Sequence, residues 1–461
     1  MREYELLIDE ALKKGLSPET MTPANSQYLY KALGFRLGKF GLEKYTELEN
    51  PLGVIDLHYS WPFPQMITGE RYNILVVRDS FTDVDTVYVI SDDHSTITQI
   101  FEIDALTFGI GELIEVADFG EFVLLSNGLM NIYWDTITSS WQGTLAYTNV
   151  PMMSTICNFK GQLVGGNVTS AWHDCDETFY VWSKIGNINC TPDLQNIAGY
   201  RRCPYGGVVK NVRRLGDHAV GYSDKGVTLL SPVTNPVTTF AFNEMYDSGI
   251  INKGALAGNL QEHLFVDEDY NLVKIVTNKP IEVLGYSNYI EQLSDEDIIV
   301  NFDKLSGDYF IGNSSKTFLL TSKGLTEIPQ HPSTVWSRNK DSYMLPDLVD
   351  DFEPEIVTEH FNFEYSGQKT IATIESDATG CLGGSSAVDF KYDLNTWRYS
   401  GYKPVNNMGI ASITKSGNLF RFRLKFTEIY ESFRIGYLKI RYKMTDLRGI
   451  GGVQAPPPRG Q

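Results

Sequence analysis

The sequence lacks the features of a disulfide-stabilised or membrane-spanning protein. Its cysteines are odd in number and irregularly spaced, which excludes a disulfide framework and predicts reduced, buried thiols. The longest apolar runs, such as NILVVR, are far too short to span a bilayer. The first residues, MREYELLIDEALKKGL, carry charges where a signal peptide needs an apolar segment. We therefore predict a protein that is soluble when made, is assembled in a cytoplasm and has no stable membrane association.

Signatures of catalysis are also missing. Neither a GxSxG nucleophile motif nor a phosphate-binding GxxxxGK[ST] motif occurs. GIGEL at 109–113 lacks the third glycine and the following helix of a dinucleotide-binding site. The sequence leaves open a catalytic pair of carboxylates like that of glycosidases, because such residues pair in space and the chain has 57 acidic residues. The alternative is that these residues form a solvated acidic face. We predict no catalytic residue and no cofactor.

Two polar groups of residues resemble metal sites only superficially. His173, Asp174 and Cys175 precede Cys190 and Cys203, but no CxxC pair is present and the intervals are too long for a structural zinc site. SDDH at 91–94 and DED at 267–269 lack the DxDxDG ladder that binds calcium. Asx hydrogen bonding in turns explains these acidic residues, and an incidental histidine with structural thiols explains the first group. We predict no metal.

Positive charge is scarce overall and concentrated in one region. The formal net charge is −18, which should repel nucleic acid and anionic membranes. Residues 391–450 nevertheless contain 12 Lys and Arg against 4 Asp and Glu. FRFRLKF at 420–426 and RIGYLKIRYK at 434–443 alternate basic with apolar residues, which predicts strands with one packed and one positive face. That face could bind nucleic acid, dock on an acidic neighbouring subunit, or simply be solvated.

The N-terminal region predicts a helix followed by an extended arm. Five apolar residues fall on one helical face before Gly15 and Pro18: Tyr4, Leu7, Ile8, Ala11 and Leu12. From Asn25 to Pro64 the apolar residues have no steady period, and we interpret this segment as an arm that lies on other surfaces. Residues 1–60 form the first predicted region.

Three sequons, at Asn167, Asn189 and Asn313, would matter only in a secreted eukaryotic protein.

What the chain does have is a recurring hairpin. Stretches with an apolar strand, a turn rich in Asp, Asn, Ser and Gly, and a second strand open at Thr86, Glu121, Gly161, Gly216, Glu262 and Gly307. Because a lone hairpin cannot bury its face, this repetition predicts a mainly β protein with a β-propeller of six or seven blades at 61–345. The alternative is a β-sandwich or a β-helix with chance spacing.

The repeated strands also bear on activity. Taken as the inner strand of each blade, EFVLL, QLVGG, HAVGY, HLFVD and YFIGN are mostly apolar or small, whereas propeller enzymes gather carboxylates at the axis. This disfavours a propeller enzyme. A cellular interaction scaffold is disfavoured too, since no WD or kelch phrase recurs.

The pattern changes after Trp336. The acidic, proline-flanked stretch PDLVDDFEPEI at 346–356 predicts a linker. Alternating strands then predict a β-sandwich-like domain within 346–450, or alternatively an added sheet. These strands are HFNFEYSG, KTIATIESD, AVDFKYDLN, LFRFRLKFTE and GYLKIRYKM. Residues 451–461, rich in proline and glycine, predict a flexible tail.

Several phrases resemble a known family. They are GFRLGKFGLEKYTELENPLG before WPFPQ at 61–65, LVGGN at 163–167, ETFYVWSKIGN at 177–187, IESDATG at 374–380, NNMGI at 406–410, GNLFRFRLKF at 417–426 and YESFRIGYLKIRYKMTDLRG at 430–449. They resemble the tail nozzle of short-tailed phages, also called tail tubular protein B, and the related packaged-DNA stabilisation propellers. The resemblance spans most of the chain and includes no catalytic signature.

The resemblance implies a virion structural protein. It would form a homo-hexameric ring at the distal end of a viral tail, a conduit that retains packaged DNA and then releases it. Implied partners are the tail adaptor ring, tail fibres or spikes and a needle or plug, with double-stranded DNA in transient passage. An acidic lumen would let DNA slide without binding it. The alternative is a propeller-type tail enzyme that degrades host surface polysaccharide.

Overall fold

The computed structural model describes most of the chain and divides it into two compact units. The described residues are 3–52, 60–70, 72–79, 81–82, 84–103, 112–135, 140–144, 149–194, 196–233, 240–346, 351–365, 367–392 and 396–445. The strand-ring unit consists of Leu48–Thr317 with Gln330–Leu348. The terminal unit consists of Met1–Glu47, Phe318–Pro329 and Val349–Gln461. Both units are mainly β, as predicted.

Five four-stranded antiparallel sheets make up most of the strand-ring unit, and each is built from consecutive strands. The first three are β5–β8 (Gln65–Thr68, Asn73–Arg78, Asp85–Ile90, Ile97–Ile103), β9–β12 (Glu115–Asp118, Phe122–Ser126, Asn131–Asp135, Ser140–Thr144) and β13–β16 (Met153–Phe159, Gln162–Val168, Phe179–Trp182, Gly199–Arg202). The other two are β17–β20 (Val209–Leu215, His218–Ser223, Val227–Pro232, Phe240–Tyr246) and β21–β24 (Leu256–Gly258, Glu262–Val266, Leu272–Val276, Glu282–Gly285).

Two further strand pairs follow in the same unit. Strands β25 (Ile299–Phe302) and β26 (Tyr309–Gly312) pair antiparallel, as do β29 (Thr334–Arg338) and β30 (Asp341–Leu345). A short helix α2 (Ser287–Ile290) and a 3-10 turn (Glu291–Leu293) precede β25. Large aromatic side chains fill the space between neighbouring sheets, for example Tyr72 against Trp134 and Trp182 against Phe240.

The first strands of these sheets form a closed ring. Gln65 exchanges hydrogen bonds of 2.8 and 3.0 Å with the backbone of Ile114, which joins the starts of β5 and β9. The amide of Val300 donates to Gly254 at 2.9 Å, and the amide of Met66 donates to Thr334 Oγ1 at 3.1 Å. Short antiparallel sheets around a common centre are the arrangement of a β-propeller. The predicted mainly β fold with a propeller arrangement is therefore confirmed.

The repeated hairpins lie in the middle of the sheets, not at the centre of the ring. Those that open at Glu121, Gly161, Gly216 and Glu262 are the second and third strands of their sheets, and the hairpin at Thr86 contains the third and fourth. The prediction that EFVLL, QLVGG, HAVGY, HLFVD and YFIGN are inner strands is therefore wrong. The second strands are apolar because sheets cover both their faces, whereas the first strands face the central space and carry polar residues.

The N-terminal region is different from the prediction. The predicted helix is a strand, β1 (Glu3–Ile8), followed by one turn of helix α1 (Glu10–Lys14). Strand β1 pairs along its whole length, antiparallel, with residues 438–443 of β40 (Leu438–Met444), and this partner outweighs the local helical period. The predicted arm contains three paired strands instead: β2 (Leu29–Leu33), β3 (Phe35–Leu37) and β4 (Leu42–Lys44).

Three sheets make up the terminal unit. Besides β1–β4 and β40, its strands are β27 (Thr317–Thr321), β28 (Gly324–Ile328), β31 (Glu355–Thr358), β32 (Lys369–Ser376), β33 (Thr379–Leu382), β34 (Ser385–Lys391), β35 (Arg398–Tyr399), β36 (Lys403–Pro404), β37 (Ile410–Gly417), β38 (Leu419–Lys425) and β39 (Glu428–Ile435). One sheet has the order β1-β40-β32-β37, and a second has the order β3-β4-β39-β33. In the third, β28 lies beside β2, and the order continues through β31, β38, β34 and β35, with β36 also paired to β34.

The units divide the chain differently from the predicted regions 1–60, 61–345 and 346–450, since β1, β2 and β4 pair with strands from beyond residue 350, and β3 pairs with β4. Four of the five predicted C-terminal strands are present, but residues 360–365 of HFNFEYSG contain a turn in which Phe363 and Glu364 have positive φ. The predicted tail, 451–461, lies outside the described residues. Within the described part of the chain, no helix is long and apolar enough to cross a membrane.

Candidate functional site

The ring of first strands encloses a cavity of about 600 Å³, which we call the axial cavity. It lies wholly within the strand-ring unit. Its wall contains residues from β5, β9, β13, β17, β21, β25 and β29, so seven strands contribute to one space. A volume of this size is typical of small-molecule sites, and a site at a propeller axis draws on side chains that are distant in sequence.

Lys253 ties one end of the axial cavity together. Its side chain is 7% exposed, and Nζ donates to the carbonyl oxygens of Leu113, at 2.5 Å, and Ser154. Glu112 Oε2 lies 3.6 Å from the ammonium. Burial lowers the pKa of Lys253, and the charges of Glu115 and Glu112 oppose this effect. Lys253 therefore joins the starts of β9 and β13 to the segment before β21.

Three further cations line the axial cavity. We call this group, Arg213, Arg214 and Lys304, the cationic mouth. Arg213 and Arg214 stand near the end of β17, and Lys304 follows β25. Arg214 donates from Nε to the carbonyl of Gly216 at 3.0 Å. In the described residues neither Arg214 nor Lys304 forms an ion pair.

Glu115 is the acidic residue in the described wall of the cavity. Its carboxylate accepts a hydrogen bond of 3.1 Å from Asn211 Nδ2 and lies 3.9 Å from Arg213 Nη2. The side chain is 15% exposed. A glycosidase needs two carboxylates across the scissile bond, and among the described lining residues Glu115 has no such partner.

Two other titratable groups of the wall are buried and held neutral. His263 Nδ1 lies 2.7 Å from the hydroxyl of Tyr222, and burial with the charge of Arg213 lowers the histidine pKa to about 3. Burial raises the pKa of Cys157 to about 12, so its thiol is not a nucleophile near neutral pH. These side chains form part of the packed wall rather than a catalytic pair.

The residues that resembled a zinc site do not come together around a metal. Cys190 is fully buried and donates to Ile188 O, while Cys203 lies 3.7 Å from the hydroxyl of Tyr180. His173 stacks on Tyr200, and burial raises the pKa of Cys175 to about 11. All five cysteines are free. No group of three potential metal ligands occurs in the described residues.

The acidic turns make the hydrogen bonds of Asx turns. Asp93 in the SDDH turn accepts from the amide of Ser95 at 3.1 Å, and Asp267 in the DED turn accepts from the amide of Asp269 at 3.0 Å. Asn167 and Asn313 of the sequons are buried. Of GIGEL, residues 109–111 lie outside the described residues.

The basic strands of the terminal unit have the predicted faces. In β38 and β40 the apolar residues are buried and the basic residues point away from the core. Acidic residues of the same unit pair with these cations: Lys443 with Glu3, Lys439 with Glu5, Arg441 with Glu5 and Glu375, Arg421 with Glu359, Arg423 with Glu355 and Asp389, and Lys425 with Glu353. The positive face is thus largely neutralised within the chain.

The sequence prediction misses the axial cavity because it places the second strand of each sheet, rather than the first, at the centre of the ring. VKNVRRL and the short segment around Lys253 have no regular alternation, so they gave no strand signal. A usable signal was the position of Arg213 and Arg214 directly before the turn that opens a repeated hairpin, since the first strand must end there.

No protein-family model and no curated protein matches the sequence. Solved structures similar to the chain include Hsv2p of Kluyveromyces lactis, at 12% identity, covering 62% of this chain and 88% of that chain with a TM-score of 0.32. A form of that protein with loop 6CD replaced by a Gly-Ser linker has a TM-score of 0.34, with 12% identity over 57% and 82% of the two chains. BamB from Moraxella catarrhalis is 8% identical, covers 66% and 92%, and has a TM-score of 0.34. Scores this low carry no argument about function.

Proposed function

We propose that this protein is a non-catalytic structural subunit of a viral tail, the nozzle ring of a short-tailed phage. Six copies would form a conduit that retains packaged DNA and then releases it. The proposal starts from the phrases that resemble tail nozzles, above all 374–380 and 417–449. The protein would be assembled in the host cytoplasm and reside in the virion tail.

The arrangement of Glu115 is the observation that favours a structural role over the enzyme alternative. A glycan-degrading propeller would place acid and base carboxylates at its axis. Here Glu115 accepts from Asn211 and lies 3.9 Å from Arg213, so its carboxylate is already engaged within the wall. The other described lining residues are cationic, neutral polar or apolar, and none is a second carboxylate.

Assembly follows from the same proposal. The net charge of −18 per copy supports a duct that does not bind DNA phosphates, provided that acidic faces line it. We propose seven blades, since seven strands surround the axial cavity. The adaptor ring, tail fibres or spikes and a needle or plug are the partners, and no stable membrane association is involved.

Native mass spectrometry of the purified chain, alone and mixed with the adaptor ring, tests the proposal. We expect a sixfold species in at least the mixture. A chain that stays monomeric in both samples would contradict it. The enzyme alternative is tested on host surface polysaccharide, with Glu115→Gln as the matched variant: cleavage that Glu115→Gln abolishes would replace the structural proposal.

A further inference from the structure

We propose that the axial cavity binds a small organic anion, a carboxylate with an apolar body. The carboxylate would lie at the cationic mouth, and the apolar body would lie against the apolar side chains of the wall. This site is independent of the proposed nozzle function, because it lies within one copy of the strand-ring unit.

The cationic mouth has more positive charge than its acidic neighbours neutralise. Arg213, Arg214 and Lys304 line it, while Glu115 is the acidic residue of the described wall and approaches Arg213 at 3.9 Å. The fourth cation of the cavity, Lys253, is already used by two carbonyl oxygens and Glu112. A guanidinium with unused N–H groups in a partly enclosed site favours a carboxylate, which it can bind through two parallel hydrogen bonds.

Apolar side chains form part of the wall, beside neutral polar residues such as Asn301 and Thr334. Ile156, Leu256 and Ile299 line the space from three different first strands, and the buried thiol of Cys157 adds to the same surface. A fully hydrated ion such as phosphate would leave these walls unused. An alkyl or aryl chain of modest length would cover them and gain the free energy of apolar burial.

The geometry also limits the ligand. The cavity holds about 600 Å³, so a small molecule fits and a folded segment of protein does not. Glu115 lies 3.9 Å from Arg213 and disfavours a second negative charge beside it in the cavity. A monocarboxylate matches this charge pattern better than a dicarboxylate.

Isothermal titration calorimetry of the full chain with octanoate tests the inference, with octyltrimethylammonium and inorganic phosphate as comparison probes. We expect saturable binding of octanoate at one site per chain, no binding of the charge-reversed probe, and weaker binding of phosphate. Lys304→Gln and Arg214→Gln should each weaken octanoate binding by about tenfold, the effect of losing one charged hydrogen-bond donor.

Lys160→Gln is the matched control, because Lys160 is half-exposed, pairs with Asp217 and does not line the cavity. It should leave octanoate binding unchanged. Lys304 is exposed on a turn, so its substitution leaves folding intact even if Arg214→Gln does not. Absence of octanoate binding, equal binding of both octyl probes, or equal affinity in Lys304→Gln and the wild type would each overturn the inference. None of these results depends on whether six copies assemble.

Discussion

The two units treat basic residues in opposite ways. In the terminal unit, each outward-facing cation of β38 and β40 has a carboxylate within 4 Å on a neighbouring strand or at its end, so the charges cancel in place. In the strand-ring unit, Arg213, Arg214 and Lys304 line a cavity in which Glu115 is the single carboxylate among the described lining residues. Basic residues that face acidic residues on adjacent strands stabilise sheets, whereas cations that outnumber the carboxylates around a cavity leave a field available to a ligand.

This difference changes the meaning of the positive region at 391–450. By composition it is the obvious candidate for an acidic partner, yet its cations are paired within the unit. Arg214 and Lys304, which form no ion pair among the described residues, lie in segments of unremarkable composition. Local charge density therefore does not indicate where a binding field arises.

The largest effect is expected at Glu355. This carboxylate is 8% exposed and accepts from Lys31 at 3.0 Å, Arg423 at 3.1 Å and Tyr402 at 2.7 Å. Glu355→Gln should lower the free energy of unfolding by about 2 kcal/mol, because three donors lose a charged acceptor. Urea unfolding, with hydrogen exchange of the β31 and β38 amides to localise the change, measures it.

Glu353→Gln is the matched control, since Glu353 is 60% exposed and pairs with Lys425 on the same strand pair. Its effect should stay below about 0.5 kcal/mol.

Burial raises the pKa of Glu355, but the Tyr402 and Lys31 hydrogen bonds and nearby positive charges lower it overall. The contribution of Glu355 is therefore present above its unfolded pKa of about 4.5 and is lost as the pH falls through the lower native value. A wild-type minus Glu355→Gln difference that grows in acid would contradict this.

A smaller effect is expected at Lys253. Lys253→Met leaves the carbonyl oxygens of Leu113 and Ser154 without this donor, but it also removes a buried charge. The two changes oppose each other, so the free energy of unfolding should fall by about 1 kcal/mol. Thermal unfolding of Lys253→Met and of Lys304→Met, the exposed cation of the same cavity, measures this difference. An equal loss of stability in both variants would show that the hydrogen bonds of Lys253 do not stabilise the fold.

The smallest effect is expected at Glu5. Its half-exposed carboxylate lies 3.2 Å from Arg441 and 3.4 Å from Lys439. Glu5→Gln should cost below about 0.5 kcal/mol, and the cost should vanish in high salt because exposed pairs are screened. Denaturation at low and high salt, with the exposed Glu47→Gln as a control, measures this; a cost unaffected by salt would speak against a screened surface pair.

The hairpins could be predicted from the sequence because their signal is local. EFVLL and NIYWD, for example, alternate or run apolar on both sides of SNGLM, whose Gly128 has the positive φ that the turn requires. The first strands could not be recognised in this way. Strand β21 has three residues, LAG, and β17 carries three charges, so neither shows a strand period.

Long-range partners explain the remaining errors. The helical period of residues 4–12 is real, yet β1 gains a full ladder of hydrogen bonds to a strand more than 400 residues later. Likewise, Arg423 and Glu355 approach each other only because β31 and β38 pair. No single-sequence pattern contains such pairings.

The pairing of β1 with β40, from Glu3 with Lys443 to Ile8 with Leu438, also sets an order of events during synthesis. The ribosome makes the N-terminal strand first, but its partner emerges only after residues up to 444 have been translated. The five sheets built from β5 to β24 can form while the nascent chain is still attached to the ribosome. Until translation reaches β40, Glu3–Ile8 remains an unpaired segment, and a truncated product keeps it so.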